Sequence, residues 1–136
     1  MHNAIRQVPI TWQSKTQKSV ALSTAEAEYV ALSDAAKEAA HLKAVLASLE
    51  IELSGPVTIY EDNMSAQRIA ENPVMHDRTK HIDIRYHFVR ELVANLSIKV
   101  IYVNTKQMVA DLLTKAVPRA VYVELVYRLL GLEAEA

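Results

Sequence analysis

The sequence predicts a helix-dominated α/β fold in a single domain over residues 1–136. Long Ala-, Leu- and Glu-rich stretches, with only 2 glycines in the chain, favour helices. Between them lie two short runs of β-branched and apolar residues, VTIYED and IKVIYV, which are typical of strands. Because 51% of the residues are hydrophobic, the chain can bury a core, which excludes disordered, low-complexity and collagen-like classes.

The composition also excludes several kinds of site and location. With no cysteine, the chain has no disulfide, thiolate zinc site or cysteine nucleophile. No apolar run approaches 18 residues and the first residues lack the apolar core of a secretory signal, so we expect a cytoplasmic or nuclear protein without a membrane partner. The 15 basic and 16 acidic residues give a net charge of −1, so any affinity for nucleic acid must come from local clusters.

The first part of the chain is predicted to hold an edge strand and one long helix. The segment Val8–Ser14 combines a proline with β-branched and aromatic residues, which is typical of an edge strand. The long helix is expected over Thr24–Leu49, because Ser23 is a good N-cap and Glu26 completes an S-x-x-E capping box.

The remaining elements alternate between strands and helices. A Gly-Pro pair precedes the first clear strand, and an Asn-Pro pair ends the short helix after it. Thr105 is expected to cap a late helix, and Pro118 to separate it from the last one. The predicted order is strand Val57–Asp62, helix Met64–Glu71, loop 74–80, helix Ile82–Asn95, strand Ile98–Val103, helix Lys106–Ala116 and a terminal helix through Leu130.

The long helix carries one glutamate that capping does not explain. Its apolar stripe, carried backward, passes through Glu28, which places Glu28 on the inward face and Glu26 about 200° away around the axis. A carboxylate that faces inward is costly unless it is paired or binds a cation, so Glu28 is a candidate ligand. The stripe consists of Ala25, Leu32, Ala35, Ala39, Leu42, Leu46 and Leu49.

Two aspartates are further candidates, each with a simpler structural alternative. Asp62 ends an apolar strand, where open α/β sheets place their ligands, but Asp62 or Asn63 could instead cap the next helix. Asp111 is expected about two turns into a helix, where it could be a solvated acid favoured by the helix dipole. A set of carboxylates without cysteine suits Mg²⁺ or Mn²⁺ rather than zinc, and pairs of such ions serve phosphodiester cleavage.

The segment RTKHIDIRYHF (Arg78–Phe88) concentrates basic residues and two histidines. It could contact phosphates, or it could be a solvated loop and helix start whose histidines bond locally. Metal binding through His81, Asp83 and His87 is disfavoured, because a spacing of six residues puts the two histidines on nearly opposite helix faces. Trp12 and the tyrosines are expected to pack in the core or on strands.

Four longer motifs run through the chain in order: ITWQSKTQKSVALSTAEAEYVALSDAAKE (Ile10–Glu38), VTIYEDNMSA (Val57–Ala66), NPVMHDRTKHIDIRYHFVRE (Asn72–Glu91) and YVNTKQMVADLLTKAVPR (Tyr102–Arg119). They resemble I-S-W-K-S-K-K-Q…V-A-L-S-S-T-E-A-E-Y, I-Y-x-D-N-x-S-A, N-P-x-x-H-x-R-T-K-H-I-D-x-R-Y-H-F and Y-V-x-T-x-x-x-x-A-D-x-L-T-K-x-L-P, respectively. These patterns are those of the ribonuclease H domain that closes the polyprotein of copia-type retrotransposons.

The resemblance implies an RNase H-like fold, with a mixed five-stranded sheet flanked by helices. It also implies a site of four acids that binds two Mg²⁺ ions and cleaves RNA paired with DNA, with Glu28, Asp62 and Asp111 at three of the acidic positions. The A-like minor groove of the hybrid, read through 2′-hydroxyls and phosphates, would supply discrimination. The residues expected to contact nucleic acid are Lys15, Lys18, Asn63, Arg78, Lys80, His81, Arg85 and Lys106.

The sequence departs from the family pattern at one acidic position. The family's first acid lies on a first strand, in a G-Y-x-D-A-D-W-A-like segment, whereas no Asp or Glu precedes Glu26 here. We therefore expect an N-terminally truncated fold, weak binding of Mg²⁺ or Mn²⁺, and reduced or lost nuclease activity. The alternative is a non-catalytic remnant that binds protein or nucleic acid.

Two physical expectations accompany the incomplete site. Because the remaining carboxylates lie close together, one of them should have a raised pKa without metal. The strand Val57–Asp62 should be buried, with Val57, Ile59 and Tyr60 as its apolar residues. One of its edges should lack a neighbour, and an unpaired apolar edge invites another strand. A homodimer paired through this edge is therefore expected.

Overall fold

The computed structural model describes residues 9–18, 23–71 and 80–132, and of residues 80–83 the backbone alone. The chain divides into two compact units, Ser19–Val103 and a smaller unit that joins Met1–Lys18 to Asn104–Ala136. The larger unit contains α1 (Thr24–Ser48), β1 (Val57–Glu61), α2 (Met64–Glu71), α3 (Lys80–Ala94) and β2 (Ile98–Tyr102). The smaller unit contains two 3₁₀ helices, Thr105–Gln107 and Val109–Leu113, and α4 (Arg119–Leu129). The architecture is mixed α/β, as predicted.

α1 begins and ends within one residue of its predicted bounds. The Ser23 hydroxyl accepts a hydrogen bond from the backbone N–H of Glu26 (3.2 Å), which confirms the predicted cap. At the other end Glu50 adopts a left-handed conformation (φ 60°), and the Ile51 N–H donates to the carbonyl of Leu46 (2.9 Å). This bond satisfies one of the carbonyls that the last helical turn leaves without a partner.

The buried face of α1 is rotated from the predicted stripe. Tyr29 and Ala36 are buried, whereas Ala35 and Leu49, both in the predicted stripe, are exposed. The Tyr29 ring lies 4.3 Å from the Tyr86 ring of α3, and its hydroxyl donates to the Tyr86 carbonyl (3.3 Å). The buried face of α1 is the one that carries this large side chain. The predicted stripe of alanines and leucines does not indicate that face.

β1 and β2 form a parallel pair in which Val57 lies opposite Ile98. Side chains alternate between the two faces, so Val57 and Ile59 pack against the core. Tyr60 points to the other face and is 60% exposed. The prediction that Tyr60 is a buried residue of this strand is therefore wrong, because the described residues cover only the opposite face of the pair.

The hydrophobic core lies between that face of the sheet and the three helices of the larger unit. Both buried residues of β2, Ile98 and Val100, belong to it. Its helical members are Tyr29, Leu32, Ala36 and Ala39 of α1, Ala66 and Ala70 of α2, and Tyr86 and Val89 of α3. This packing fixes the first half of α1 against β1 and α3.

β1 pairs along one edge only in the part of the chain that the structure describes. The Val57 N–H donates to the Ser97 carbonyl, and the Val103 N–H to the Glu61 carbonyl, both at 3.0 Å. Because backbone groups in a parallel ladder alternate between the two edges of a strand, those of Thr58 and Tyr60 face the opposite edge of β1. The described residues form two strands, so the open second edge of β1 and the five-stranded sheet that the resemblance implies stay predictions.

The predicted edge strand Val8–Ser14 is wrong for its described residues. Residues 9–14 have no regular secondary structure, and Trp12 is 72% exposed rather than packed. Strand propensity alone does not form a strand, because an extended segment needs a neighbouring ladder for its backbone hydrogen bonds. Val8 lies outside the described residues.

The last third of the chain departs from prediction in one element. Two short 3₁₀ helices replace the expected α-helix Lys106–Ala116, because Met108 is extended (ψ 99°) and interrupts the helical backbone. Asn104, not Thr105, caps the first of them by accepting from the Lys106 N–H (3.0 Å). α4 lies where Pro118 and Leu130 predict it. α3 begins two residues earlier than predicted, and residues 74–79 of the predicted loop lie outside the described residues.

Replacing Leu96 with glycine should stabilise the protein by about 0.5–1 kcal/mol. Leu96 follows α3 in a left-handed conformation (φ 59°) and is 71% exposed. A left-handed backbone conformation costs a residue with a side chain about 1–2 kcal/mol. Glycine avoids this cost but loses more conformational entropy on folding, so the net gain is smaller. Gly131 occupies the equivalent position after α4 (φ 61°). Urea unfolding tests this, with Leu96→Ala as the control; equal stability of the two variants would contradict it.

Replacing Ser33 with alanine should raise the free energy of unfolding by about 1 kcal/mol. The Ser33 hydroxyl of α1 is buried and has no hydrogen-bond partner among the described residues, so folding removes it from water without compensation. Alanine is also the better helix former. Ser48→Ala is the matched control, since the Ser48 hydroxyl donates to the Val45 carbonyl at 2.6 Å on the helix surface. Thermal unfolding in which Ser33→Ala gains nothing over Ser48→Ala would count against this account.

Candidate metal centre

Three carboxylates meet where β1 ends. Glu28 comes from α1, and Glu61 and Asp62 are consecutive residues at the end of β1; one carboxylate oxygen from each lies within 4.8 Å of the others. Glu61 is 4% exposed, and Glu28 and Asp62 are half-buried. Oxygen ligands of this kind suit a hard divalent cation such as Mg²⁺ or Mn²⁺.

The local sequence explains how the three side chains come together. Val57 and Ile59 of β1 face the core, so the alternation of the strand carries Glu61 to the same inward face. Glu28 precedes Tyr29, the residue that fixes α1 in the core, and α1 packs against β1. The first turns of α1 therefore lie beside the carboxyl end of β1.

The side chains of Glu61 and Asn63 organise the corner between β1 and α2. The backbone N–H of Asn63 donates to Glu61 Oε1 (2.9 Å). Asn63 Oδ1 accepts in turn from the N–H groups of Ser65 (2.9 Å) and Ala66 (3.1 Å). Asn63 thus caps α2, so capping does not account for Asp62, and the side-chain oxygen of Asn63, predicted to contact nucleic acid, is used within the fold.

The pKa of Glu61 is raised to about 7. Burial is the largest cause, and the negative charges of Glu28 and Asp62 add to it, whereas the hydrogen bond from Asn63 acts in the opposite direction. The sequence predicted a raised pKa for one of the three acids Glu28, Asp62 and Asp111, whereas the structure raises the pKa of Glu61, which that prediction did not include. The alternation of VTIYE was the signal that could have found it, because it places Glu61 on the same face as the two core residues.

The prediction that Glu26 faces away from the interior is wrong. It is 3% exposed and lies three residues before the buried Tyr29, on the same side of α1. The rotation of the buried face toward Tyr29 accounts for the error and also places Glu28 at the boundary of the core rather than within it.

Asp111 belongs to the smaller unit and is 7% exposed, so its interpretation as a solvated acid is wrong. It lies in the first turn of the second 3₁₀ helix, and Lys115 Nζ is 3.0 Å from its Oδ1. This ion pair neutralises a charge that a metal ion would otherwise neutralise. Convergence of Asp111 with Glu28 and Asp62 stays a prediction.

Comparison with known proteins gives matches in one group. The chain is 46% identical over 125 residues to the retrovirus-related Pol polyprotein from transposon TNT 1-94 of Nicotiana tabacum, which covers 92% of the chain. It is 41% identical over 114 residues, or 84% of the chain, to those from transposons RE2 and RE1 of Arabidopsis thaliana. The chain is similar to a segment of plant retrotransposon Pol polyproteins. It spans only 8–9% of the length of these relatives. No family model and no solved structure matches it.

The residues of this Pol-related chain that were predicted to contact nucleic acid differ in their exposure and in their charged neighbours. Arg85 forms an ion pair, with its Nη1 3.1 Å from Asp34 Oδ1 on α1. Lys15, Lys18 and Lys106 are exposed in the smaller unit. Arg78 lies outside the described residues, and only the backbone of Lys80 and His81 is described.

No described helix of the Pol-related chain is both long and apolar enough to cross a membrane.

Proposed function

We propose that this chain is the ribonuclease H-type segment of a retrotransposon Pol polyprotein and hydrolyses RNA in RNA/DNA hybrids with Mg²⁺ or Mn²⁺. The observation that carries the proposal is the meeting of Glu28, Glu61 and Asp62 within 4.8 Å at the end of a parallel strand. Two of these acids, Glu28 and Asp62, are ones that the RNase H resemblance implies. The relationship to Pol polyproteins supports the same class of protein.

The residues fit a divalent cation. When bound, such ions activate water and stabilise the leaving 3′ oxygen of a phosphodiester. Glu28 and Asp62 would hold the ion from two directions, one from α1 and one from the end of β1. Asp111 would bind the ion either through the carboxylate oxygen that does not contact Lys115, or through Oδ1 after Lys115 has moved away from it.

Binding of the hybrid is assigned to the exposed basic side chains together with the acidic site. Lys15, Lys18 and Lys106 would contact phosphates. Arg85 would do so through guanidinium nitrogens other than Nη1, which pairs with Asp34. Because the net charge is −1, affinity would depend on these local contacts and fall as salt rises. An affinity for hybrid that is independent of salt would contradict phosphate contacts.

A gel assay with a labelled RNA/DNA hybrid tests the proposal. The chain should cut the RNA strand slowly at high protein concentration when Mg²⁺ or Mn²⁺ is present, and chelation by EDTA should stop the reaction. Slow cutting is expected because no acid precedes Glu26 in these 136 residues, so water would take the place of the first carboxylate as a ligand and would not neutralise the charge of the ions. Salt-sensitive binding of hybrid without cutting would support the alternative, a non-catalytic binding module.

The same proposal includes a homodimer in which a second copy covers the open edge of β1. Its support is the edge itself, which carries no strand in the described part of the chain, and the exposed Tyr60 beside it. Light scattering should show a dimer whose population depends on concentration. A stable and well-folded monomer at high concentration would contradict it.

A further inference from the structure

The corner that carries Asp62 is enclosed by hydrogen bonds from both sides. On the strand side, the Glu61 carbonyl accepts from the Val103 N–H of the neighbouring chain segment (3.0 Å). On the helix side, Asn63 Oδ1 accepts from the first N–H groups of α2. Asp62 alone separates these two anchored residues.

The Glu61 side chain closes the corner. Its Oε1 accepts from the N–H of Asn63, two residues further on, at 2.9 Å, so a ring of covalent and hydrogen bonds passes through Asp62. A side-chain acceptor that bonds a backbone N–H two residues later fixes the intervening dihedral angles, as in other turns of this kind. The direction of the Asp62 carboxylate depends on those angles.

Packing does not explain why a carboxylate stands at position 61, because burying it there costs free energy. Glu61 is buried on the inward face of β1, in line with Val57 and Ile59, where an apolar side chain would continue the core. It also lies beside the charges of Glu28 and Asp62. Burial of such a group costs free energy that its hydrogen bonds offset only in part, and an apolar residue of similar size would avoid that cost.

We propose that Glu61 is a positioning residue, which holds the Asp62 carboxylate toward the metal through its hydrogen bond to Asn63. This inference rests on the proposed function and assigns to Glu61 a role that depends on its acceptor oxygen rather than on its charge. It differs from the role of a direct ligand, for which the negative charge is required.

Two substitutions separate acceptor from charge. Glu61→Gln keeps the Oε1 acceptor and removes the charge, whereas Glu61→Leu removes both and suits the apolar surroundings of the inward face. Each variant is compared with the parent chain in two NMR measurements without metal: hydrogen exchange of the Asn63 amide, and the backbone order parameter of Asp62. A third measurement is the affinity for Mg²⁺, from amide shifts in a titration.

The positioning role predicts a split between the variants. Glu61→Gln should keep the Asn63 amide protected and change the Mg²⁺ Kd by less than about 3-fold. Glu61→Leu should remain folded, lose that protection, lower the Asp62 order parameter and raise the Kd by about 10-fold or more, as loss of a supporting hydrogen bond does elsewhere. Equal weakening of Mg²⁺ binding in both variants would overturn the role in favour of a direct ligand.

The metal-free measurements keep this inference separate from the proposed function. If the parent chain binds no Mg²⁺, the proposed function fails, and the Asn63 and Asp62 measurements still decide whether Glu61 holds the corner. An Asp62 order parameter and an Asn63 protection that are the same in Glu61→Leu as in the parent chain would overturn the positioning role, whatever the metal does.

Discussion

Glu61→Gln should abolish a loss of stability that the parent protein shows between about pH 4.5 and pH 7. The pKa of Glu61 is raised from 4.5 to about 7, chiefly by burial. Below pH 4.5 this carboxyl is protonated in both the folded and the unfolded chain, so it contributes no pH dependence. Between the two values the unfolded chain loses the proton and the folded chain keeps it, so the free energy of unfolding falls as pH rises.

The expected cost is complete above pH 7 and amounts to about 3 kcal/mol, from the size of the pKa difference. Urea unfolding at pH 5, 6, 7 and 8 measures it. Glu38→Gln is the matched control, because Glu38 is an exposed residue of α1 whose replacement should leave the slope unchanged. If the stability of Glu61→Gln falls with pH as steeply as that of Glu38→Gln, Glu61 does not carry this penalty.

Asp62→Asn should reduce metal-dependent cleavage of an RNA/DNA hybrid by at least about 100-fold. The substitution keeps the shape of the side chain but removes a charge that would bind the ion, and ions of this kind supply several kcal/mol of transition-state stabilisation. Asn63 caps α2 and Asp62 does not, so the fold should be unaffected. Relief of repulsion near Glu61 should even make the variant slightly more stable.

Asp34→Asn is the control for Asp62→Asn. Asp34 is an acid of α1 that pairs with Arg85 and Lys37, outside the carboxylate cluster. Its replacement should leave the metal-dependent rate close to that of the parent chain at saturating hybrid. Initial rates of RNA cutting for the three proteins, measured at equal concentration and matched folded content, decide the outcome. Cleavage that persists in Asp62→Asn would remove Asp62 from the catalytic site.

The elements with strong local signals could be predicted from sequence. The bounds of α2 agree with prediction, and α1 and both strands agree within one residue at their ends. Capping residues, prolines and runs of β-branched residues are local features, so they act in the same way in most folds. The wrong strand at residues 9–14 has equally good local propensity, but no neighbouring strand pairs with it in the described residues.

The candidate site could be predicted only in part, because it depends on which face of each element is buried. Asp62 was identified from its position at the end of a strand, and the structure removes its capping alternative through Asn63. Glu61 was not predicted; the alternation of VTIYE, which places it on the inward face of β1 with Val57 and Ile59, is the feature that identifies it. Glu26 was misplaced because the buried face of α1 is set by Tyr29 and its contact with Tyr86, which is a tertiary property.

Titration of the chain with Mg²⁺, monitored by amide NMR shifts, tests the central claim most directly. The account predicts saturable shifts confined to the surroundings of Glu28, Glu61 and Asp62. The Kd should lie in the millimolar range, because three clustered carboxylates repel one another and no acid precedes Glu26 in these residues. Asp62→Asn should lose the effect. No saturable shift at these residues, or the same shifts in Asp62→Asn, would contradict the claim that this cluster is a metal centre.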